Sequence, residues 1–325
     1  MMVKNSTDGC LELHGDQVYI TFIYLQSGLI ISRIKKFHKS INSYIWFANW
    51  GLMVNFEHFL ITRMNLGYIE RSKSKGINPD IWLEKRMMLF FRNCIPSILA
   101  QSNFNFTWII YLDRMTPKKY IDELKENLAV LKNVKLFFKF GHFNSIFIYV
   151  ADDIRSLVSN QTTHLITSRV DSDDMLHRDY ISKVQRLFSG QDYQPINFDL
   201  GYFYHNSKGV VGITKFECNS FITLIEKINE AKSFKTVWHK IHTAYCQDDK
   251  RLSIKEKPFL TCVSVHDLND STEFYVRPFL FRNIDLAEDF NFQYQVKANF
   301  SDRFLFFINY FKSAYIKRCN KIIRT

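Results

Sequence analysis

Residues 164–174 read HLITSRVDSDD, an apolar run that ends in acidic residues. A run of this length without alternation of apolar and polar side chains is typical of a parallel strand buried on both faces. We therefore predict a core strand over residues 164–170, with Asp171, Asp173 and Asp174 at its carboxyl end.

The three carboxylates of this acidic cluster lie within four residues and repel one another. Such a cluster needs a cation or strong hydrogen-bond donors. A hard ion such as Mg²⁺ or Mn²⁺ takes carboxylates together with phosphate oxygens of a substrate. A solvated turn or a helix N-cap is the alternative, because Asp is favoured in both. On its own, the cluster leaves both interpretations open.

The sequence before this strand alternates between apolar runs and helical patterns. Strands are predicted at residues 58–65, 107–113 and 134–140, and helices at residues 81–99, from 116 to about 131, and at 151–160. This alternation predicts an α/β fold with a mostly parallel sheet flanked by helices. Ligands of such sheets bind outside the carboxyl ends of the strands, where Arg63, Asp113 and the acidic cluster would meet.

The two ends of the chain differ from this pattern. The apolar residues 18–32 fall short of the ~20 residues that a membrane-spanning helix needs, so we predict an extra strand or packing segment there. Later in the chain, strands are predicted at 199–204, 209–215 and 258–265, and a helix at 220–231. We divide the chain into an N-terminal extension (1–57), an α/β domain (58–300) and a basic amphipathic helix (301–325).

Composition excludes several classes of protein. With Gly 11 and Pro 6, the chain contains no GxGxxG, GxxxxGK[ST] or GxSxG motif, so a typical dinucleotide fingerprint, a P-loop and a hydrolase nucleophile elbow lack support. A net charge of +11 favours anionic partners, namely nucleotides, nucleic acid or an acidic membrane face. The six cysteines form no CxxC pair, which argues against a zinc ribbon or a dense disulfide scaffold and favours a reducing compartment.

Three motifs in the central region carry a resemblance. The first is a Cys-x-Pro-Ser motif with a following Gln, formed by Cys94, Pro96, Ser97 and Gln101. The second is an apolar strand that ends in Asp before Thr-Pro, formed by Asp113, Thr116 and Pro117. The third is a Ser-Arg-x-Asp-x-Asp-Asp motif, formed by Ser168, Arg169, Asp171, Asp173 and Asp174. In these motifs the chain resembles the rhamnosyltransferase family of glycosyltransferases, which have the GT-A fold. Weaker similarities are residues 219–226 and His266, and the resemblance covers residues 58–290.

The resemblance implies a metal-assisted transfer of a sugar from a nucleotide diphosphate donor to an acceptor hydroxyl. In this family the aspartates of the DxD motif hold Mg²⁺ or Mn²⁺ and contact the donor, which assigns metal binding to Asp171, Asp173 and Asp174. His266 resembles a late histidine that completes the metal shell or touches the diphosphate, with a core histidine as the alternative. The resemblance also places Asp113 at the nucleoside. Arg63 and Arg169 would meet the base or the diphosphate, since a guanidinium suits bidentate phosphate contact.

An inverting transfer also needs a base that deprotonates the acceptor. The acceptor-side acids are Glu226 and the Asp248-Asp249 pair, and we assign the base to Glu226 first and Asp249 second. For each of them a surface acid on a helix is the alternative.

The resemblance implies rhamnose or a related deoxyhexose as the donor sugar, and a surface glycan or a lipid-linked glycan as the acceptor. We expect a cytoplasmic protein that touches an anionic membrane through its basic tail, residues 302–324. The alternative function is a basic nucleic-acid-binding protein without catalytic activity, suggested by the charge of +11. The acidic cluster argues against it, because three carboxylates would repel a phosphodiester backbone.

Overall fold

The computed structural model divides the chain into two compact units, Met1–Met53 and Val54–Thr325. In the first unit only the backbones of three strands are described. In the second unit the described residues are 55–207, 209–215, 217–229, 233–269, 276–278, 286–292, and positions 304, 308 and 311. Most of the predicted tail helix thus lies outside the described residues, and its three described positions are helical.

A three-stranded antiparallel sheet forms in the first unit. Its strands are β1 (Asp8–Leu13), β2 (Val18–Leu25) and β3 (Gly28–Lys35), paired in the order β1-β2-β3. The apolar segment 18–32 contains all of β2 and the first residues of β3, so it forms parts of two strands.

The second unit begins with the alternation that the sequence predicts. Its elements up to the acidic cluster are β4 (Phe56–Arg63), α1 (Tyr68–Ser74), α2 (Pro79–Leu89), a π-helical turn (Phe90–Cys94), α3 (Ile95–Leu99), β5 (Thr107–Asp113), α4 (Lys118–Leu128), β6 (Val134–Lys139), a 3₁₀ turn (Phe143–Ser145), α5 (Ile146–Arg155) and β7 (His164–Arg169). The predicted helix at 81–99 is the direct succession of α2, the π turn and α3. It begins at Pro79 because the Asn78 side chain accepts the backbone N–H groups of Asp80 and Ile81.

The elements after the acidic cluster are β8 (Met175–Leu176), α6 (Tyr180–Arg186), β9 (Tyr193–Phe198), β10 (Leu200–His205), β11 (Val210–Lys215), β12 (Thr223–Lys227), a 3₁₀ helix (His242–Gln247), β13 (Leu252–Ile254), β14 (Thr261–Val265), β15 (Val276–Pro278) and α7 (Leu286–Phe290). Strands β10, β11 and β14 confirm the predicted ones. They belong to a second sheet with the order β15-β11-β10-β14-β8.

The main sheet has seven strands in the order β13-β9-β12-β7-β4-β5-β6. Strand β4 is parallel to both β5 and β7, with Arg63 opposite Tyr111 and Ile61 opposite Arg169. Only β12 runs antiparallel to its two neighbours, β7 and β9. The sheet is therefore mostly parallel, and the carboxyl ends of β4, β5 and β7 lie at one edge, as predicted.

Both faces of this sheet are covered. Leu60 and Ile110 belong to one hydrophobic cluster, which includes residues of α2 and α3, whereas Phe59 and Ile109 belong to a second cluster with Trp238. Alternate residues of a strand point to opposite faces, so a strand covered on both sides is apolar throughout. This explains the uninterrupted apolar runs of β5 and β7.

The predicted helix at 220–231 is wrong, because this segment forms strand β12. Thr223, Leu224, Ile225 and Glu226 are all buried between β7 and β9. Periodicity alone does not separate a short apolar run in a buried strand from a buried helix. The sequence prediction also missed β9, which contains Pro195, and the short β13.

None of the helices in the described part of the chain combines the length and the apolar composition that a membrane crossing requires.

Candidate active site

A cleft of about 610 Å³ opens at the carboxyl ends of β4 and β7. Its charged lining consists of four arginines and three aspartates, namely Arg63, Arg71, Arg86, Arg169, Asp171, Asp173 and Asp174. Arg63 ends β4, Arg169 ends β7, and α1 and α2 supply the other two arginines. Arg63 and the acidic cluster thus line the same cleft, as predicted.

Asp173 is held between an arginine and a histidine. Arg86 donates from Nη1 to Asp173 Oδ2 (2.9 Å), and from Nη2 to Asp173 Oδ1 (3.2 Å) and Ser172 Oγ (2.7 Å). His266 Nε2 lies 2.7 Å from Asp173 Oδ2. The backbone N–H of Leu268 donates to His266 Nδ1, so Nε2 carries a proton and donates to Asp173.

The charge of this group follows from its partners. Burial alone would raise the pKa of Asp173, but the Arg86 guanidinium and the His266 ring hold that pKa well below its ordinary value. Burial likewise opposes the charge of Arg86, and Asp173 raises the Arg86 pKa above its ordinary value. Asp173 and Arg86 are therefore a buried ion pair.

Asp174 has a different environment. Its Oδ1 accepts the backbone N–H of Ser264 on β14 (2.9 Å), and Ser220 Oγ donates to its Oδ2 (3.3 Å). Burial and the negative charges of Asp173 and Asp171 raise the pKa of Asp174 well above its ordinary value. Asp174 thus connects the end of β7 to β14, and its carboxyl takes up a proton more readily than that of an ordinary aspartate.

Asp171 is the most exposed of the three, with 24% of its side chain accessible. Arg169 Nη2 donates to both of its oxygens at 3.2 and 3.3 Å. Burial would raise the pKa of Asp171, but Arg169 and Arg63 lower it. Asp171 therefore stays ionised beside two guanidinium groups.

Trp238 supports these two arginines. The guanidinium carbon of Arg169 lies 4.2 Å from the centroid of the indole ring, and that of Arg63 lies 5.3 Å from it. Burial lowers the pKa of Arg63 to about 9, with the charge of Asp171 opposing this shift and the charge of Arg169 adding to it. Arg63 is still charged at neutral pH, and an anion in the cleft would stabilise it.

The predicted metal ligands hydrogen-bond to other protein groups. Arg86 and His266 hydrogen-bond to Asp173, and Asp174 is hydrogen-bonded to Ser264 of β14 and to Ser220. Among the described residues, no group of three or more His, Cys, Asp or Glu side chains is placed to hold a metal ion. Metal binding by Asp171, Asp173, Asp174 and His266 stays a prediction.

Asp113 lies at the end of β5 but does not line the cleft. Its carboxylate accepts the backbone N–H groups of Gly67 (2.9 Å) and Met115 (2.8 Å). Gly67 has a φ of +64°, a conformation that favours glycine, and it immediately precedes α1, which carries Arg71. Asp113 therefore holds the turn that positions α1, and its contact with a nucleoside stays a prediction.

The two predicted bases also lie away from the cleft. Glu226 is buried in β12, where its carboxylate accepts the backbone N–H groups of Lys235 and Thr236, both at 2.7 Å. Asp249 is exposed in the turn after the 3₁₀ helix. Glu226 instead fixes the segment that leads to Trp238.

A family model described as "Putative rhamnosyl transferase" matches residues 62–278, more than half of the chain. The chain belongs to this family. Membership of the rhamnosyl transferase family confirms the predicted resemblance, the α/β GT-A-like fold class and the enzyme class, a glycosyltransferase. It also favours this class over the nucleic-acid-binding alternative. A comparison with curated proteins gives no significant match.

The chain is also similar to solved structures. Residues 1–349 of S. aureus TarS in complex with UDP share 12% identity, with 65% of this chain and 61% of that chain covered and a TM-score of 0.36. A "putative nucleotide-diphospho-sugar transferase" from Desulfovibrio desulfuricans G20 shares 10% identity, with coverage of 66% and 83% and a TM-score of 0.35. The chain thus spans 61% of the TarS fragment.

Several residues that line the cleft of this rhamnosyl transferase family member were not predicted from its sequence. Arg86 had a signal, since it shares the buried face of α2 with Trp82, Leu83 and Met87, where an unpaired arginine is rare. Trp238 and His242 line the cleft from a segment without regular periodicity, so nothing in the sequence marked them.

A disulfide joins Cys218 to Cys246, with their Cα atoms 5.6 Å apart. The scattered cysteines did not predict this bond, because the partners are 28 residues apart in sequence and become neighbours only in the fold. The bond is at odds with the reducing compartment that the cysteine spacing favoured, because disulfides persist in oxidising environments. The bond connects the segment before β12, where Cys218 lines the cleft, to the 3₁₀ helix His242–Gln247.

Proposed function

We propose that this protein transfers a sugar from a nucleoside diphosphate donor to an acceptor hydroxyl, with the diphosphate bound by the arginines of the cleft. One observation carries the proposal: Arg63, Arg71, Arg86 and Arg169, from two strand ends and two helices, converge on one cleft. Guanidinium groups bind phosphate oxygens through two parallel hydrogen bonds. Membership of the rhamnosyl transferase family supports a sugar as the transferred group.

The charge balance of the cleft also supports an anionic ligand. Four arginines face the three carboxyl groups of Asp171, Asp173 and Asp174, so the arginines outnumber the acids, and the raised pKa of Asp174 adds to the positive excess. The remaining positive charge would stabilise the diphosphate as it departs, which is where negative charge develops in such a transfer.

We propose rhamnose or a related deoxyhexose as the donor sugar, after the family description. The acceptor would be a hydroxyl of a glycan or a lipid-linked glycan, and the basic tail would bring the enzyme to an anionic membrane. Mg²⁺ or Mn²⁺ is proposed as the cofactor on the resemblance alone, so it enters the experiment as a separate variable.

A thermal-shift screen tests the function. The panel consists of dTDP-rhamnose, UDP-glucose, GDP-mannose, the free nucleoside diphosphates and the nucleoside monophosphates, each with and without Mn²⁺. We expect the diphosphates to raise the melting temperature more than the monophosphates, because ligand that binds the folded state stabilises it by mass action. Absence of any shift with every nucleotide would refute the proposal.

Two variants show whether the cleft is the binding site. Arg63→Met should abolish most of the shift, whereas Arg114→Met removes a positive charge from an exposed position outside the cleft and should leave the shift unchanged. An equal loss in both variants would mean that the nucleotide responds to net charge and not to this site.

A further inference from the structure

A transfer that inverts the anomeric configuration in one step requires a group in the cleft that takes the acceptor proton. The carboxylates of the cleft already accept hydrogen bonds: Asp173 from Arg86 and His266, Asp174 from the Ser264 N–H and the Ser220 hydroxyl, and Asp171 from Arg169. An ionised carboxylate with a lowered pKa is a weak base, so Asp171 suits this task poorly. The base must therefore be another residue that lines the cleft.

His242 lines the same cleft, half-buried at the first residue of the 3₁₀ helix. Its Nδ1 lies 2.8 Å from the carbonyl oxygen of Cys218. A carbonyl oxygen only accepts hydrogen bonds, so Nδ1 carries the proton and Nε2 of the neutral ring has an unshared electron pair. Within the described part of the chain, no side chain or backbone group forms a hydrogen bond with Nε2.

The ring is held in place by covalent structure. The Cys218–Cys246 disulfide ties the residue whose carbonyl orients the ring to the same 3₁₀ helix that begins with His242. Arg251 donates to the carbonyl oxygen of Glu217, and its Nη1 lies 3.0 Å from Cys218 Sγ, which further fixes this loop. A proton acceptor is effective when its orientation is fixed before the substrate binds.

The surroundings keep the ring neutral. Burial lowers the pKa of His242 below its ordinary value, the positive charges of Arg169 and Arg63 lower it further, and Asp171 and the Cys218 carbonyl oppose them. At neutral pH the ring is therefore in the form that can accept a proton.

We propose that His242 is the general base of the transfer, acting through Nε2. The acceptor hydroxyl gives its proton to Nε2 while its oxygen forms a bond to the anomeric carbon of the donor sugar. The bond from that carbon to the diphosphate oxygen breaks, and its electron pair stays on the diphosphate beside the arginines. The imidazolium then releases its proton to solvent. A single displacement of this kind inverts the anomeric configuration.

This inference rests on the proposed function, and its test uses the variant His242→Asn. The asparagine amide keeps a donor near the position of Nδ1, so the bond to the Cys218 carbonyl survives while Nε2 is removed. His239→Asn is the matched control, because His239 also places Nδ1 2.8 Å from a carbonyl oxygen, that of Thr236, but does not line the cleft.

The assay is release of nucleoside diphosphate from dTDP-rhamnose, with water as acceptor, over a range of pH. We expect His242→Asn to lower kcat by roughly 10²- to 10⁴-fold, the usual contribution of a general base, with the Kd for dTDP within about twofold of the wild type. In the wild type, kcat/KM should fall at acidic pH because protonation removes the base, with the midpoint of the fall below the ordinary histidine pKa of about 6.5, since the pKa of His242 is lowered. This fall should be absent in His242→Asn and present in His239→Asn. Added imidazole should restore part of the activity of His242→Ala.

The outcomes separate this inference from the proposed function. If the wild type neither binds nor hydrolyses any nucleotide sugar, the proposed function fails and this inference fails with it. If the wild type is active and His242→Asn retains more than a tenth of kcat, only the base assignment is wrong. If His242→Asn does not fold, ¹⁵N NMR of the wild-type ring decides: the Nδ1–H tautomer supports the assignment, and the Nε2–H tautomer overturns it.

Discussion

Replacing Asp173 with asparagine should destabilise the protein. The Asp173→Asn change leaves Arg86 facing a neutral amide at a site where the two side chains are 7% and 8% exposed. Removing one partner of a buried ion pair costs roughly 3–5 kcal/mol of the free energy of unfolding. We expect the lower end, about 3 kcal/mol, because the asparagine oxygen still accepts one hydrogen bond and Arg86 keeps its bond to Ser172. In a domain of this size that loss lowers the melting temperature by about 6–12 °C.

Whether Asp173→Asn lowers or raises the free energy of unfolding distinguishes two interpretations of the acidic cluster. If Asp173 were a metal ligand that only suffers repulsion from Asp171 and Asp174, its neutralisation would stabilise the metal-free protein. Urea unfolding without metal, with EDTA present, measures the difference. A free energy of unfolding equal to or above that of the wild type would refute the buried ion pair.

The neighbouring position on α2 offers a matched control. Lys85 pairs with Asp267 at 2.6 Å, but the two side chains are 43% and 64% exposed, so Asp267→Asn should cost no more than about 1 kcal/mol. The double variant Arg86→Met/Asp173→Asn should be less destabilised than the sum of the two single variants. A coupling free energy near zero would mean that the two groups do not stabilise each other.

Other predictions concern pH, the cleft and the tail. Burial lowers the pKa of His58 to about 3, so the folded state resists a proton that the unfolded chain takes up below about pH 6.5. As the pH decreases from about 6.5 to about 3, the free energy of unfolding should therefore fall by up to about 1.4 kcal/mol per pH unit. Urea titrations of His58→Asn should show a shallower fall. Trp238→Leu removes the ring beneath two guanidinium groups and should weaken dTDP binding roughly tenfold by calorimetry, whereas an unchanged Kd would contradict it. Asp113→Ala should weaken binding of nucleoside diphosphate and nucleotide sugar alike by freeing the turn at Gly67. Truncation before Asp302 should abolish sedimentation with phosphatidylglycerol vesicles and spare dTDP-rhamnose hydrolysis, and vesicle binding by the truncated protein would refute the membrane role.

The pattern of apolar and polar residues along the chain predicted the strands and the position of the site at the edge of the sheet. The runs of β4, β5 and β7 are apolar because both faces of the sheet are covered, and the polar residues that follow them lie at one edge because these strands are parallel. The meeting of Arg63 with the acidic cluster follows from that topology.

The features of the site that the sequence did not predict depend on contacts between distant parts of the chain. The Arg86–Asp173 pair and the Cys218–Cys246 disulfide join residues that lie 87 and 28 positions apart, and no local pattern reports such neighbours. The helix predicted around Glu226 was wrong for a related reason, because Glu226 lies in a buried strand between β7 and β9. In that strand it accepts backbone N–H groups, and its role as the base stays a prediction.

The reversed direction of β12 has a consequence for how this site can diversify. Because β12 runs against its neighbours, the segment that precedes it, with Cys218, Asn219 and Ser220, reaches the cleft from the start of a strand. Its pairing is anchored by Thr223 opposite Ser168, whose hydroxyl groups lie 2.6 Å apart. Insertions or substitutions before Thr223 would reshape one wall of the cleft without shifting the strand that carries Arg169. Chains with this topology can therefore change the ligand contacts of that wall while the arginines of the other strand ends and helices stay in place.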